Sequence, residues 1–301
     1  MLFPGGRFPG EPVLWRGCMN SVRKMLTRYD IRPRKRLGQS FLEDMNMVCR
    51  ISALAEPAAD ETVVEIGAGL GLLTAELAKT AGRVIALEID PRLIAVLKDR
   101  FAGDDRVEII QEDVLVYDFS SACPGRRIKI IGNIPYHIST PILFRLLEFR
   151  RSIKSMVLMF QKELADRIIA RPGKKDYGIL SVIFARYALA VREMTIPPTC
   201  FYPVPGVVSS VLRITMCDDP GTPAEESLFV KTVRASFSQR RKTLRNNLRA
   251  AGFAEDALDS VLMKTGISGI RRAETLALEE FQRLATELAA CGDARKVLDK
   301  R

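Results

Sequence analysis

From Glu61 onward the chain alternates short β-branched runs with longer stretches whose apolar residues recur at helical spacing. Residues 62–66, 83–88, 107–111, 128–132 and 156–161 read as strands, and helical patterns fill the intervals. Strands separated by helices imply βαβ units. The pattern therefore predicts an α/β fold of Rossmann-like architecture: a mostly parallel sheet covered on both faces, with ligand sites at the carboxyl ends of the strands. Two further runs, 185–196 and 207–216, predict added strands, the second antiparallel and at the edge of the sheet.

The pattern then changes. Cys217-Asp218-Asp219-Pro220-Gly221-Thr222-Pro223 is a turn-rich break, after which helical spacing dominates. Residues 31–217 are expected to form the sheet domain and 222–301 a smaller, all-helical domain that carries the basic stretch Lys231 to Arg249, with no acid in it. The first 30 residues, rich in Gly and Pro, read as a flexible tail whose apolar patch is too short for a signal peptide. Met19, just before a basic helical stretch, is a candidate natural start.

Composition narrows the class. Of 301 residues, 47% are hydrophobic and 27% charged, so the chain can bury a core and is too apolar to be disordered. Lys and Arg outnumber Asp and Glu by 46 to 36, a formal charge of +10, which favours a polyanionic partner. Six scattered cysteines without a C-x-x-C pair, and a single histidine, His137, argue against a metal site and for reduced thiols in the cytoplasm. No apolar run approaches the roughly 20 residues of a membrane span.

The strand at 62–66 runs directly into Gly67-Ala68-Gly69-Leu70-Gly71 and a helix, a turn in which glycines let the backbone approach a ligand. The third glycine follows the second by two residues, not three as in the dinucleotide fingerprint, which suits a nucleoside without a pyrophosphate. The next strand ends at Glu88, where a carboxylate can accept both hydrogen bonds of a ribose diol. The strand after it leads to Asp113, a candidate acceptor for an adenine amino group. Three successive strand ends thus outline one adenosine-sized site, with NAD as the competing ligand.

The fourth strand ends in Asn133-Ile134-Pro135-Tyr136. An adenine amino group is a poor nucleophile because its lone pair is delocalised into the ring. The Asn133 side-chain oxygen and the Ile134 carbonyl can each hold one amino proton and expose that lone pair to a methyl sulfonium. Pro135 fixes the local backbone, and Tyr136 offers a flat face for an extruded base.

With these residues in view, the chain resembles the ribosomal RNA adenine N6-dimethyltransferases, and among them the branch acting on two adjacent adenosines near the 3′ end of small-subunit (16S) RNA. The resemblance spans about residues 34–280. It is carried by Lys35-Arg36-Leu37-Gly38-Gln39-Ser40-Phe41-Leu42, the turn from Glu65 to Gly71, Glu88, Asp113 and the tetrapeptide at 133–136. Phe201-Tyr202-Pro203-Val204-Pro205 with Val208-Ser209-Ser210, and the run from Phe237 to Leu248, complete it. It implies S-adenosyl-L-methionine as cofactor, 16S rRNA in the small subunit or its precursor as partner, and a monomeric enzyme without a metal. It further implies that Gln39, Ser40 and Leu42 close over the cofactor beside Gly67, Gly69, Glu88, Asp113 and Asn133, and that Phe201 is a second aromatic wall opposite Tyr136. The family usually has Asn where this chain has Ser40, so a side-chain contact to the cofactor is expected to be shortened there or replaced by backbone.

The basic stretch reads as a helix that repels itself unless an anion faces it, which makes Arg240, Arg241 and Lys242 candidates for RNA phosphate, with Lys174 and Lys175 in a second, weaker region. His137 is not assigned as a base, because methyl transfer to an amine does not need one. Two rival readings remain: a large-subunit adenine dimethylase of the macrolide-resistance type, and a ribosome-assembly factor acting mainly by binding.

Overall fold

The computed structural model describes residues 22–218 and 221–291. In chain order the elements are α1 (Val22–Arg28), β1 (Phe41–Leu42), α2 (Met45–Leu54), β2 (Thr62–Ile66), α3 (Leu72–Leu77), β3 (Arg83–Glu88), α4 (Pro91–Arg100) and β4 (Val107–Gln111). They continue with β5 (Ile128–Asn133), α5 (Ser139–Glu148), β6 (Ile153–Gln161), α6 (Lys162–Ile168), α7 (Ile179–Tyr187), β7 (Ala188–Ile196), β8 (Phe201–Tyr202) and β9 (Ser209–Met216). Helices α8 (Pro223–Ser236), α9 (Leu244–Ala250), α10 (Glu255–Thr265) and α11 (Leu278–Ala290) close the described chain.

Seven strands form one sheet in the order β4-β3-β2-β5-β6-β9-β7. The first five are parallel, and β9 runs antiparallel to both β6 and β7. Strand order reverses between β2 and β5, the crevice where open α/β sheets take their ligands. The central strand β2 is buried at all five positions, as a strand covered by helices on both faces must be.

Three expectations are corrected. Strand β9 is antiparallel but interior, whereas β7 is the edge, with Leu189 and Val191 exposed. Burial separates the two: seven-strand order needs apolar cover for β9 on both sides, and six of its eight residues are buried. Residues 185–187 belong to α7, whose apolar spacing carries Tyr187 into the core before the chain turns extended at Ala188. Of the tail expected over residues 1–30, residues 1–21 lie outside the described residues, but the rest is ordered structure. Val22 and Leu26, one helical turn apart, are buried with Ile31 against Val48, Leu70, Leu72, Leu93 and Val96.

The helical unit shares a hydrophobic core with the sheet. One buried cluster runs from Ile130, Leu143 and Leu158 of the sheet layer through Phe184 of α7 to Phe229, Leu248, Val261, Phe281 and Leu288. Phe281 stacks on Phe237 at 5.8 Å between ring centroids. Because Phe281 is fully buried at this junction, Phe281→Ala is expected to destabilise the protein by about 3–5 kcal/mol. In a urea titration, fluorescence and far-UV circular dichroism should shift together to a lower midpoint; a shift seen by one probe alone would contradict a shared core.

Candidate active site

The carboxyl ends of β2, β3, β4 and β5 open on a cavity of about 310 Å³, within the range of small-molecule sites. It is roofed by residues 37–42 and walled by Gly67, Gly69, Glu88, Asp113, Asn133, Ile134, Pro135, Tyr136 and His137. The glycine turn is shaped for close approach. Gly69 has φ 59°, and a Cβ there would lie 3.2 Å from the Phe41 ring. At Gly71, with φ 73°, a Cβ would meet Phe101 at 2.7 Å. Arg100, from the end of α4, steadies the turn by donating to the Leu70 carbonyl at 2.7 Å.

Glu88 is buried at the end of β3 and accepts from Gly69 N, Ile89 N and Asp90 N, each at 2.9 Å. Burial pushes its carboxyl above the ordinary range, against the three N–H donors that favour the charge. Three of its roughly four lone-pair sites are used, so a ribose hydroxyl can still be received. Asp113 Oδ1 accepts from Leu115 N at 2.9 Å. It lines the cavity beyond the end of β4.

Asn133 is held by an unexpected partner. Its Nδ2 donates to the backbone carbonyl of Ser40 at 2.9 Å. Ser40 therefore acts here through its backbone, while its hydroxyl donates to the Pro203 carbonyl at 2.8 Å. The Ile134 carbonyl takes no hydrogen bond from the described residues. The Tyr136 hydroxyl pairs with Ser209 Oγ at 2.5 Å, which fixes the ring at the cavity wall, and burial raises its pKa. His137 is exposed and lies against Gly38, where a Cβ would sit 3.0 Å from Nδ1; it lines the site as packing.

Phe201 is placed differently from the expectation. It is 1% exposed and belongs to the cluster of Ile131, Val157, Met159 and Val211, not to the cavity wall. The physical reason is packing: β8 pairs antiparallel with β1, Leu42 opposite Phe201 and Phe41 opposite Tyr202, and Phe201 is buried in that cluster beyond Leu42. Gln39 also lines the cavity, but its side-chain atoms are taken by Asp90 and by Arg34 N.

Two further buried acids belong to the site's surroundings, and of these Asp90 escaped sequence reading. Asp90 is 1% exposed; burial alone would raise its pKa, yet donors from Arg92 and Gln39 hold it at about 2, so it stays charged. The signal was its place before Pro91 as a helix cap. Glu65, in the cavity wall, is pushed up to about 8 by burial, with nearby Glu88 adding to the shift and the Thr74 hydroxyl opposing it.

The basic candidates are exposed, but the helix expected for them is broken. Residues 237–243 form a turn between α8 and α9. That turn meets the loop of Lys174 and Lys175: Arg240 donates to the Lys175 carbonyl at 3.0 Å and pairs with Glu274, and Gly173 N donates to the Glu274 carbonyl at 2.7 Å. The acids missing from the basic stretch itself come from α10, since Arg245 pairs with Glu255 and Asp259, and Arg249 with Glu255. Arg241, Lys242, Lys174 and Lys175 have no ion-pair partner among the described residues.

A parallel sheet with a glycine turn, carboxylates at two neighbouring strand ends and an Asn-led polar loop at the next defines a nucleoside-dependent methyltransferase of the Rossmann-like class. The model of the ribosomal RNA adenine dimethylase family matches residues 31–289, and the chain belongs to that family. The family's chemistry is S-adenosylmethionine-dependent, and the chain is an rRNA adenine dimethyltransferase. It is 46% identical over 278 residues to the ribosomal RNA small subunit methyltransferase A of Syntrophus aciditrophicus, covering 90% of this chain and 99% of that one. With the protein of the same name from Geobacter sulfurreducens it shares 44% over 269 residues, 87% and 97% of the two chains. Among solved structures, a dimethyladenosine transferase from Plasmodium falciparum superposes with a TM-score of 0.72 at 26% identity, over 83% of this chain and 97% of that one. The 23S rRNA methyltransferase ErmE superposes with 0.66 at 28%, over 83% and 99%.

Glu65 generates a prediction. An unfolded Glu titrates near 4.5, so between there and about 8 the native state keeps a proton that the unfolded chain lacks, and stability falls as pH rises through that window. Glu65→Gln removes this dependence. Urea midpoints measured from pH 5 to pH 8 should show the variant gaining steadily on the wild type; a constant difference would mean that Glu65 is ionised throughout.

Proposed function

We propose that the chain dimethylates the amino nitrogen of adjacent adenosines near the 3′ end of 16S rRNA, acting as a cytoplasmic monomer on the small ribosomal subunit or its precursor. The names of its curated relatives support the small-subunit substrate, and their 46% and 44% identities exceed the 28% shared with the large-subunit enzyme. The observation that carries the chemistry is the anchoring of Asn133.

A carbonyl oxygen can only accept, so the bond to Ser40 must use the amide nitrogen of Asn133, and Oδ1 is the atom left for a substrate donor. Oδ1 and the uncommitted Ile134 carbonyl each receive one proton of the target amine. Held so, the nitrogen is drawn towards tetrahedral geometry and its lone pair is localised. Bound S-adenosylmethionine supplies an electrophilic methyl group on a sulfonium. Gly67 and Gly69 would admit it to the backbone, Glu88 would accept from one ribose hydroxyl and Asp113 from the adenine amino group, under the roof of Ser40 and Leu42. Tyr136, braced by Ser209, stacks the extruded base. Transfer would break the donor's methyl–sulfur bond and leave neutral S-adenosylhomocysteine; the product ammonium loses one proton to water, and in a second round, with a fresh donor molecule, one of the two acceptors holds the single amino proton that remains.

RNA is held outside the cavity by the paired basic surfaces, Lys174 and Lys175 on one loop and Arg240, Arg241 and Lys242 on the adjoining turn. Arg240 joins the two, and the other four point their charge to solvent.

Asn133→Ala is expected to abolish methylation while leaving subunit binding within about threefold, read by mass spectrometry of nucleosides from unmodified small subunits and by filter binding. Retained N6,N6-dimethyladenosine formation would refute the assigned role. Replacing Lys174, Lys175, Arg241 and Lys242 together by Ala should weaken RNA binding and flatten the log–log salt dependence by about one unit per lost phosphate contact. An unchanged slope would remove this face from the RNA interface.

A further inference from the structure

Asp90 makes more bonds than a helix cap requires. Its Oδ1 accepts from Arg92 N at 3.1 Å, which is the cap of α4. Beyond the cap, its carboxylate is met by the Arg92 guanidinium and by residues 34–39. Oδ2 accepts from Gln39 Nε2 at 2.9 Å, and the Arg34 guanidinium lies 3.8 Å from Oδ1. Arg92, paired with Asp90 through its guanidinium, donates onward to the Arg32 carbonyl at 3.1 Å. Gln39 is bound at both ends of its amide, since Oε1 accepts from Arg34 N at 2.7 Å. A carboxylate this buried is tolerated only when its charge is met from several sides, so this cluster holds the segment to the start of α4 as one unit.

The next residue after Gln39 is Ser40, whose carbonyl receives Nδ2 of Asn133. At the other end of the cluster, Asp90 N donates to Glu88 Oε1, so the ribose-binding strand end and the roof share one frame.

We propose that Asp90 is a positioning residue for methyl transfer: through Gln39 it holds the Ser40 backbone, and the Ser40 carbonyl in turn fixes the Asn133 amide in the orientation that receives the adenine amine. This rests on the role given above to Asn133. Gln39, although it lines the cavity, spends its polar atoms on this relay and contacts neither the donor nor the base through them.

Three full-length variants test it on unmodified small subunits, with kcat, KM for S-adenosylmethionine and thermal melting measured for each. Asp90→Asn keeps a competent cap but turns an amide donor towards the Gln39 donor. Gln39→Met removes the relay and leaves Asp90 with Arg92. The double variant Asp90→Asn/Gln39→Glu restores the hydrogen bond with donor and acceptor exchanged. Each single variant should lose roughly tenfold or more in kcat, the scale of a small misplacement of a reacting group. Gln39→Met should do so with little change in melting, and the double variant should recover most of the loss of Asp90→Asn. If Gln39→Met turns over like the wild type, or the double variant is no better than Asp90→Asn, while Asn133→Ala is inactive, the relay is wrong and the site assignment stands. An active Asn133→Ala would overturn both.

Discussion

Nδ2 of Asn133 and the carbonyl of Ser40 meet across 93 residues of chain, and the rest of the site is arranged around that bond. It decides which end of a small, nearly symmetric amide faces the cavity. A free asparagine could present either its oxygen or its nitrogen to an amine, and only the oxygen can accept an amino proton. The bond exists because β1 pairs with β8 and because the Ser40 hydroxyl is tied to Pro203, so the roof over residues 37–42 is pinned on two sides.

The electrostatics of the cavity follow from how many carboxyl groups it can keep charged. Glu65 and Glu88 approach the glycine turn from neighbouring strands, and two buried anions so close would repel. Burial leaves Glu65 protonated near neutrality, with Thr74 as its hydrogen-bond partner. Glu88 has three backbone N–H groups to support a charge, and Asp90 has its arginine and Gln39. The acidic groups are thus graded by what donates to them, and Asp90, met by an arginine and Gln39, is the one held charged.

The helical unit serves the same geometry from outside. Its core is continuous with that of the sheet through α7, so the turn at 237–243 and the loop of Lys174 and Lys175 are brought together and bonded through Arg240 and Glu274. A basic stretch that looks unbalanced in sequence is partly neutralised in space by α10, while Arg241 and Lys242, without ion-pair partners among the described residues, lie on the turn that meets the loop of Lys174 and Lys175. That grouping, more than the net charge, is what a phosphate backbone would recognise.

The order of strands and helices, the glycine turn, Glu88, Asp113 and the tetrapeptide at 133–136 were legible in the sequence, because each depends on local periodicity or on residues adjacent in the chain. Whether β7 or β9 lies at the edge was not, since both alternate similarly and only burial on both faces tells an interior strand from an outer one. The helical stretch after Met19 was legible, but not that α1 docks into the core, because its partners Val48, Leu70, Leu93 and Val96 lie far along the chain. Phe201 has the composition of a pocket wall, yet packing beyond Leu42 buries it in the core. The roles of Asp90, Gln39 and Ser40 arise from contacts between segments 51 to 93 residues apart, and no local pattern encodes a hydrogen bond formed at that separation. The sequence by itself determined which chemical groups the strand ends carry; the tertiary structure decided which way they point, because orientation is set by partners that meet only when the chain has folded.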